Sequence, residues 1–432
     1  MVVASISGIR GIVGQDLLPS ELVRYVAGFA AVKPYSEFLV GRDTRRSGES
    51  IAKLVCGTLA GQGAKVTDYG VVSTPALFRE SRIKGLPALI VTASHNEPEW
   101  NGLKFVLSGR GITQPELDGV LEAKEKGASQ VRGTISSGVK PSYNQELIEM
   151  YGKGSAAGVS AAVDLNGGAA IGHAPPILEG LGCKVSIIGG TPGIFSRTID
   201  PTNDSLNLLR KTVKERKSDV GFAFDCDGDR LVLVDNEGEK RTGDFMLALA
   251  IKNILPGLEN RAVVVSADTS RAVTDVVSQA GGTVYRSKVG EANVVSRMTE
   301  EGSSLGGEGS SGGLIYGDYN YCRDSMIAVS VIVKALRKSG RRVFREVPSY
   351  EQARVKVPMD RKKGLAAIKR LQKEYPEADA LDGIRIETSG RSWVLVRVSG
   401  TEDAVRVSAE SKSTKEAQEL ADLYLKRVKE LG

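Results

Sequence analysis

Cysteine is scarce in this chain, and its placement argues against two architectures. Cys56, Cys183, Cys226 and Cys322 lie far apart and form no C-x-x-C pair, so neither a zinc site nor a disulfide framework is indicated. They read as buried, reduced thiols. Long apolar runs are missing too: all fall far short of the ~18 residues a membrane helix needs. The N-terminus has no basic region leading into a long apolar segment, so a cytoplasmic protein with no membrane partner is expected. Aromatic residues make up only 5%, and charges of both signs are scattered rather than blocked, with a net charge of +6. That pattern gives nucleic-acid binding little support, while a modest positive balance suits small anionic substrates.

What is present is 432 residues of globular composition, 41% hydrophobic and 25% charged. That is too long for one ordinary core and implies roughly three or four domains of about 100–150 residues. The chain is organised around Ala88-Leu-Ile-Val-Thr-Ala-Ser-His-Asn-Glu-Pro-Glu-Trp-Asn-Gly-Leu-Lys104. An apolar run breaking into small polar residues reads as a buried strand delivering Thr92, Ser94 and His95 to its carboxyl end, where open α/β sheets bind ligands. Ser94 is the candidate reacting atom; a serine capping the next turn or helix is the plain alternative.

A weak repeat runs through the first three quarters. Ala60-Gly-Gln-Gly-Ala-Lys-Val66, Glu179-Gly-Leu-Gly-Cys-Lys-Val185 and Ser278-Gln-Ala-Gly-Gly-Thr-Val284 each follow a helical pattern and open a strand. Upstream of each lies an apolar strand ending in an acid, Asp43, Asp164 or Asp268. Three similar α/β domains with mixed, largely parallel sheets are expected. Ser339–Tyr350 reads as a linker. Beyond it come a helix near Lys363–Glu374, alternating strands at Ile384–Thr388, Trp393–Val398 and Ala404–Ser408, and a helix from Thr414: a smaller α+β domain. The units are placed at 1–148, 149–250, 251–345 and 346–432.

Four motifs bear chemistry. Ser7-Gly-Ile-Arg-Gly11 reads as a loop presenting Arg10 to an anion. Asp225-Cys-Asp-Gly-Asp-Arg230 crowds three carboxylates that repel unless a cation intervenes, and Gly228 lets the backbone turn so that they converge. Oxygen ligands without nearby histidine point to a hard ion, Mg²⁺ before others. Gly307-Glu-Gly-Ser-Ser-Gly-Gly313 offers Glu308 and the hydroxyls of Ser310 and Ser311 to a sugar. Arg397-Val-Ser-Gly-Thr-Glu-Asp403, between two expected strands, reads either as a phosphate cradle made by Arg397, Ser399, Gly400 and Thr401, with Arg406 close behind, or as an ordinary β-hairpin turn.

In this order the motifs resemble the α-D-phosphohexomutase superfamily along almost the whole chain. The resemblance implies three α/β domains and a C-terminal domain of TATA-binding-protein-like fold around a central cleft. It implies a phosphoserine at Ser94, Mg²⁺ held by the serine phosphate with Asp225, Asp227 and Asp229, and turnover of sugar phosphates through a hexose 1,6-bisphosphate. Arg10 and Lys104 match positions near the reacting group, Lys104 acting as acid/base if neighbouring cations lower its pKa. His95, Arg230 and Lys288 are further cleft candidates, and a monomer or homodimer is expected. Where many members carry Ser-Gly-His, this chain has Gly312-Gly313, and one serine is additional. A glycine-rich loop without histidine is similar to that of archaeal members. The expected activity is that of a phosphoglucomutase/phosphomannomutase, with phosphoglucosamine mutase as alternative. A Mg²⁺-dependent phosphatase of haloacid-dehalogenase type and a non-catalytic sugar-phosphate sensor are the readings from other classes.

Overall fold

The computed structural model describes residues 2–33, 35–123, 133–139, 141–388, 391–400 and 403–432. Four sheets succeed one another along the chain, and the first three share one plan. In the first, strands Lys65–Val71, Glu37–Arg42, Ala88–Val91 and Trp100–Leu107 lie side by side in that order. The second places Lys184–Ile188, Ser160–Asp164, Val220–Phe224 and Leu231–Asp235 likewise; the third, Thr283–Ser287, Ala262–Ser266, Leu305–Glu308 and Gly313–Tyr316. Each time the first three strands are parallel and the fourth returns antiparallel. The three α/β units expected from the repeat are therefore present, with mixed, mostly parallel sheets.

Local sequence accounts for these elements. Ala262-Val-Val-Val-Ser266 is buried throughout, as a β-branched run covered on both faces must be. The helix Ser325–Ser339 starts where the Asp324 side chain accepts the N–H groups of Met326 and Ile327, satisfying donors that the first turn leaves open. Its apolar face enters a core that extends across the first three units. Among the described residues no helix is long and apolar enough to cross a membrane.

Three segments differ from the sequence reading. Ser339–Tyr350 is not a linker: Gly340–Arg345 forms a 3-10 helix, and Val343, Phe344, Val347 and Tyr350 are buried in the shared core. Ser7–Gly11 is not a loop: Gly8–Ile12 is a strand antiparallel to Trp100–Leu107, with Arg10 opposite Gly102. A Cβ at Gly102 would come within 2.0 Å of the Ile9 carbonyl oxygen, so this approach needs glycine. Glu351–Pro358 is a full strand of the C-terminal sheet, paired with Ala404–Ser411. Ala353, Val355 and Val357 alternate there with exposed Arg354 and Lys356, a period-two strand signal that the sequence reading passed over. That sheet runs Glu351–Pro358, Ala404–Ser411, Trp393–Val398 and Ile384–Glu387, all antiparallel, beneath helices Arg361–Glu374 and Thr414–Leu431.

Trp393 joins this sheet to the third unit. It is fully buried and packs with Ala267 and Leu395 in a cluster of their own. Its Nε1 donates to Glu410 Oε1 at 2.7 Å, which also accepts the Arg271 N–H at 2.8 Å, and the Arg385 guanidinium covers the ring at 4.4 Å. Trp393→Ala is expected to cost about 3–5 kcal/mol and to split off an earlier C-terminal transition in scanning calorimetry. Trp393→Phe, which keeps most of the area, should preserve joint unfolding; equal behaviour of the two variants would contradict this account.

Candidate active site

Ser94 leaves the strand Ala88–Val91 fully buried and with φ at +52°, a left-handed conformation that costs a non-glycine residue about 1–2 kcal/mol. The neighbouring contacts hold it there. Its N–H donates to Thr92 Oγ1 at 2.8 Å, and Thr92 Oγ1 donates to Asp43 Oδ2 at 2.6 Å. Arg45, also buried, pairs through Nε with Asp43 Oδ2 at 3.1 Å. Its Nη2 donates to the carbonyls of Ser94 at 2.8 Å and Asn96 at 2.6 Å, and Nη1 to those of Glu97 and Trp100. One guanidinium thus fixes the entire serine loop. Burial pushes the Asp43 carboxyl up against the pull of Arg45. Sequence reading noted Asp43 only as the end of a strand and gave Arg45 no role, although two charges directly after a buried strand are a usable signal. Ser94 caps no helix; the chain passes from its loop into the strand Trp100–Leu107.

The Asp225–Arg230 turn meets this loop. Gly228 has φ at +70°, as the expected convergence requires. Asp225 Oδ2 accepts from Ser94 Oγ at 3.1 Å, while its Oδ1 accepts the N–H groups of Asp229 and Arg230. Lys104, on the adjacent strand, reaches Asp227 Oδ2 at 2.6 Å and Asp229 Oδ2 at 2.8 Å. Thr74 Oγ1 also donates to Asp227 Oδ2, at 2.6 Å. Burial, then Asp227 and Asp229, pushes the Asp225 carboxyl well above the usual range. Burial and Asp229 push Asp227 up as well, but Lys104 and Thr74 outweigh them and hold it low. Asp229 is raised by burial yet held low by Arg323, Lys104 and Arg230. The expected lowering of the Lys104 pKa is corrected: burial lowers it, but Asp227 and Asp229 more than compensate, and the ammonium is held above its ordinary value.

The three aspartates each bring a carboxylate oxygen within 4.8 Å of the others. Asp227 Oδ1 and Asp229 Oδ1 are buried without a hydrogen-bond partner, an arrangement that is costly without a counter-ion. Each of these aspartates uses Oδ2 for Lys104, so the residues fit a hard divalent cation on the Oδ1 side.

Cations surround the triad. Arg10 Nη1 donates to Asn96 Oδ1 at 3.0 Å, and burial lowers its pKa to about 10. Arg230 donates through Nη1 to Asp200 Oδ2 at 3.0 Å and through Nη2 to His95 Nδ1 at 2.8 Å. Burial, then Arg230, Arg10 and Arg323, pushes the His95 pKa far below its ordinary value, so the imidazole is neutral and its Nδ1 accepts. Arg323, absent from the sequence reading, donates through Nη2 to Asp229 Oδ2 at 2.9 Å and through Nη1 to Glu308 Oε2 at 3.2 Å.

A cavity of about 590 Å³ opens above these groups, lined from all four sheets and their loops, by Arg10, His95, Arg230, Glu308, Ser310, Ser311, Arg397 and Arg406 among others. Ser94 and the triad lie beneath it, buried. On the C-terminal sheet Lys356 pairs with Arg406 and Arg406 with Arg397, so three cations stand in a row on one face of three adjacent strands. Like charges directly opposite one another repel, and a bound anion converts that repulsion into attraction. Lys356 and Arg354 also line the cavity and were missed with their strand. Ser399 is buried and Gly400 exposed, and neither lines the cavity; Thr401 lies outside the described residues. Lys288 is exposed, while its neighbours Val289 and Gly290 line the cavity, so the structure does not place Lys288 at the site.

The chain matches the family models for phosphoglucomutase/phosphomannomutase alpha/beta/alpha domain I over residues 3–131, domain II over 141–238, domain III over 242–351 and the C-terminal domain over 354–426. It is 34% identical to a probable phosphoglucosamine mutase of Methanopyrus kandleri, covering 97% of this chain and 96% of that one. It is 31% identical to a phosphoglucomutase/phosphomannomutase of Thermococcus kodakarensis, covering 98% and 97%. A phosphoglucomutase/phosphomannomutase family protein of Burkholderia thailandensis shares the fold, with a TM-score of 0.86 at 23% identity over 99% of this chain and 98% of that one.

By relieving the repulsion among the aspartates, MgCl₂ is expected to stabilise the fold by about 2.7 kcal/mol at a hundredfold excess over Kd, read as a higher thermal midpoint that EDTA reverses. Asp229→Asn should abolish the shift; an unchanged midpoint in wild type would argue against a metal here. Arg45→Lys, which keeps the charge but cannot bridge four carbonyls, should lower turnover by about 10²-fold and increase amide exchange between residues 94 and 100. Retention of native exchange in that loop would refute the clamp.

Proposed function

The chain belongs to the phosphoglucomutase/phosphomannomutase family, and from that premise we propose that it interconverts hexose 1-phosphates and hexose 6-phosphates through a phosphate carried by Ser94. The observation that carries this reading is the contact of Ser94 Oγ with Asp225 Oδ2 at 3.1 Å, buried beneath a cavity lined from all four sheets. Glucose and mannose phosphates are the first substrates to consider. Glucosamine phosphate is the second, favoured by the name of the Methanopyrus kandleri relative.

The P–O bond to Ser94 Oγ breaks as a new P–O bond forms to the sugar hydroxyl; the hydroxyl loses its proton, Ser94 Oγ regains one, and a hexose 1,6-bisphosphate is left bound. The sugar then turns and returns its other phosphate to Ser94. Asp225 Oδ2 is the group positioned to accept the serine proton on that return. Mg²⁺ held by Asp225, Asp227, Asp229 and the serine would supply charge neutralisation on the phosphoryl oxygens. Arg10 and Arg230 add fixed positive charge at the same end. Lys104, kept as the ammonium by Asp227 and Asp229, serves as a donor to the phosphoryl group rather than as a base. The distal phosphate is held by Arg397 and Arg406, joined by Lys356, all three of which line the cavity. Because that cradle is the same for either end of the sugar, one site handles both directions. Glu308, Ser310 and Ser311 face the sugar hydroxyls from the opposite wall.

A coupled assay with glucose 1-phosphate, Mg²⁺ and a trace of glucose 1,6-bisphosphate should yield the 6-phosphate. Ser94→Ala should reduce kcat by at least about 10³-fold. Intact-mass analysis after bisphosphate treatment should show one added phosphoryl group on wild type and none on Ser94→Ala. Full turnover by the alanine variant would sink the phosphoserine mechanism, and release of inorganic phosphate by that variant would favour a phosphatase with an aspartate nucleophile.

A further inference from the structure

Gly313 is the strand partner of Glu308, directly across the hairpin that forms the sugar loop. A Cβ at Gly313 would stand 2.2 Å from Arg323 Cδ and 2.5 Å from its Cγ. The glycine is therefore required by a neighbour: the body of Arg323 passes through the space a side chain at 313 would fill. The backbone of Arg323 is tied in place by a bridge to Ile315 and by its N–H, which donates to Glu291 Oε2 at 2.9 Å. From there the guanidinium fans out over three carboxylates. Nη2 meets Asp229 Oδ2 at 2.9 Å, Nη1 meets Glu308 Oε2 at 3.2 Å, and Nε lies 3.2 Å from Glu291 Oε2. Nη1 also donates to Ser311 Oγ at 3.4 Å. The other oxygen of Glu308 accepts the Gly290 N–H at 2.8 Å, so the carboxylate is pinned at both ends.

We propose that Arg323 is a positioning residue that sets the orientation of Glu308 and thereby determines which hexose phosphate the site accepts. The proposal rests on the phosphohexomutase reading above. Only a planar fork reaches Asp229 and Glu308 through separate nitrogens; a lysine ammonium retains the charge but not that geometry. The same guanidinium joins the metal turn of the second unit to the sugar loop of the third. The group that reads the sugar is therefore registered against the carboxylates that surround the serine, which keeps the sugar hydroxyls and the phosphoryl group in one frame. Its cost, a buried guanidinium, is offset by the three carboxylates around it.

Two variants disturb this arrangement from opposite sides. Arg323→Lys removes the fork, and Gly313→Ala displaces the fork while leaving Arg323 in the chain. Each is assayed with glucose 1-phosphate, mannose 1-phosphate and glucosamine 1-phosphate beside wild type, with the thermal midpoint as a check on folding. Both variants are expected to change the ratio of kcat/KM between at least two of the sugars by about tenfold, mainly through KM. Glu308→Gln combined with Arg323→Gln should cost scarcely more than the worse single variant, since both remove one arrangement. Sugar preference within twofold of wild type in both Arg323→Lys and Gly313→Ala would overturn the proposal, as would losses at 308 and 323 that multiply. If Arg323→Lys fails to fold, Gly313→Ala decides alone. Wild type inert toward all three sugars would overturn the underlying reading and this inference with it.

Discussion

Three buried carboxylates on one tight turn repel each other, and much of the centre of this protein is arranged around that fact. Asp225, Asp227 and Asp229 are each at most 1% exposed, so solvent does little to screen them. Their compensation comes partly from the turn itself, through Arg230, and partly from distant parts of the chain, through Lys104 of the first unit and Arg323 of the third. The units meet where their charges balance. The two carboxylate oxygens left without hydrogen-bond partners mark the side on which a further cation would complete the set.

The three α/β units reach that centre by the same route. In each, the third strand of the sheet ends at the site: Ala88–Val91 before Ser94, Val220–Phe224 before Asp225, Leu305–Glu308 at the sugar loop. A parallel strand directs the residues beyond its carboxyl end away from the sheet, and three equivalent ends converge on one cleft. The fourth sheet closes it with a row of cations on its strands, docked onto the third unit through Trp393 and Glu410.

A strained serine buried beneath the cavity needs a rigid frame, and two arginines supply it at different ranges. Arg45 works within one unit, holding the loop of Ser94 through carbonyls that any sequence would possess. Arg323 works between units, through carboxylates that only this arrangement brings together. The first keeps the loop of Ser94 still; the second keeps the Asp225–Arg230 turn and the Gly307–Gly313 loop in register.

By itself the sequence determined the repeat, the helix and strand periods, and the motifs around Ser94, Asp225 and Arg397. Those signals are local: a buried strand must be apolar, a tight acidic turn must contain its glycine, and each stands in consecutive residues. Only the tertiary structure decided that Arg10 lies on a strand, that Lys104 pairs with the aspartates, and that Arg45 and Arg323 hold the site together. It also added Lys356 and Arg354, the outward-facing residues of an alternating strand whose position at the cavity no local signal gives, and it removed Lys288 from the site. A long cationic side chain has no period and few neighbours in sequence that betray its partner. Its role depends on which carboxylate or carbonyl the fold brings within about 3 Å, a distance typical of hydrogen bonds, and that is settled by packing between units rather than by any one stretch of residues.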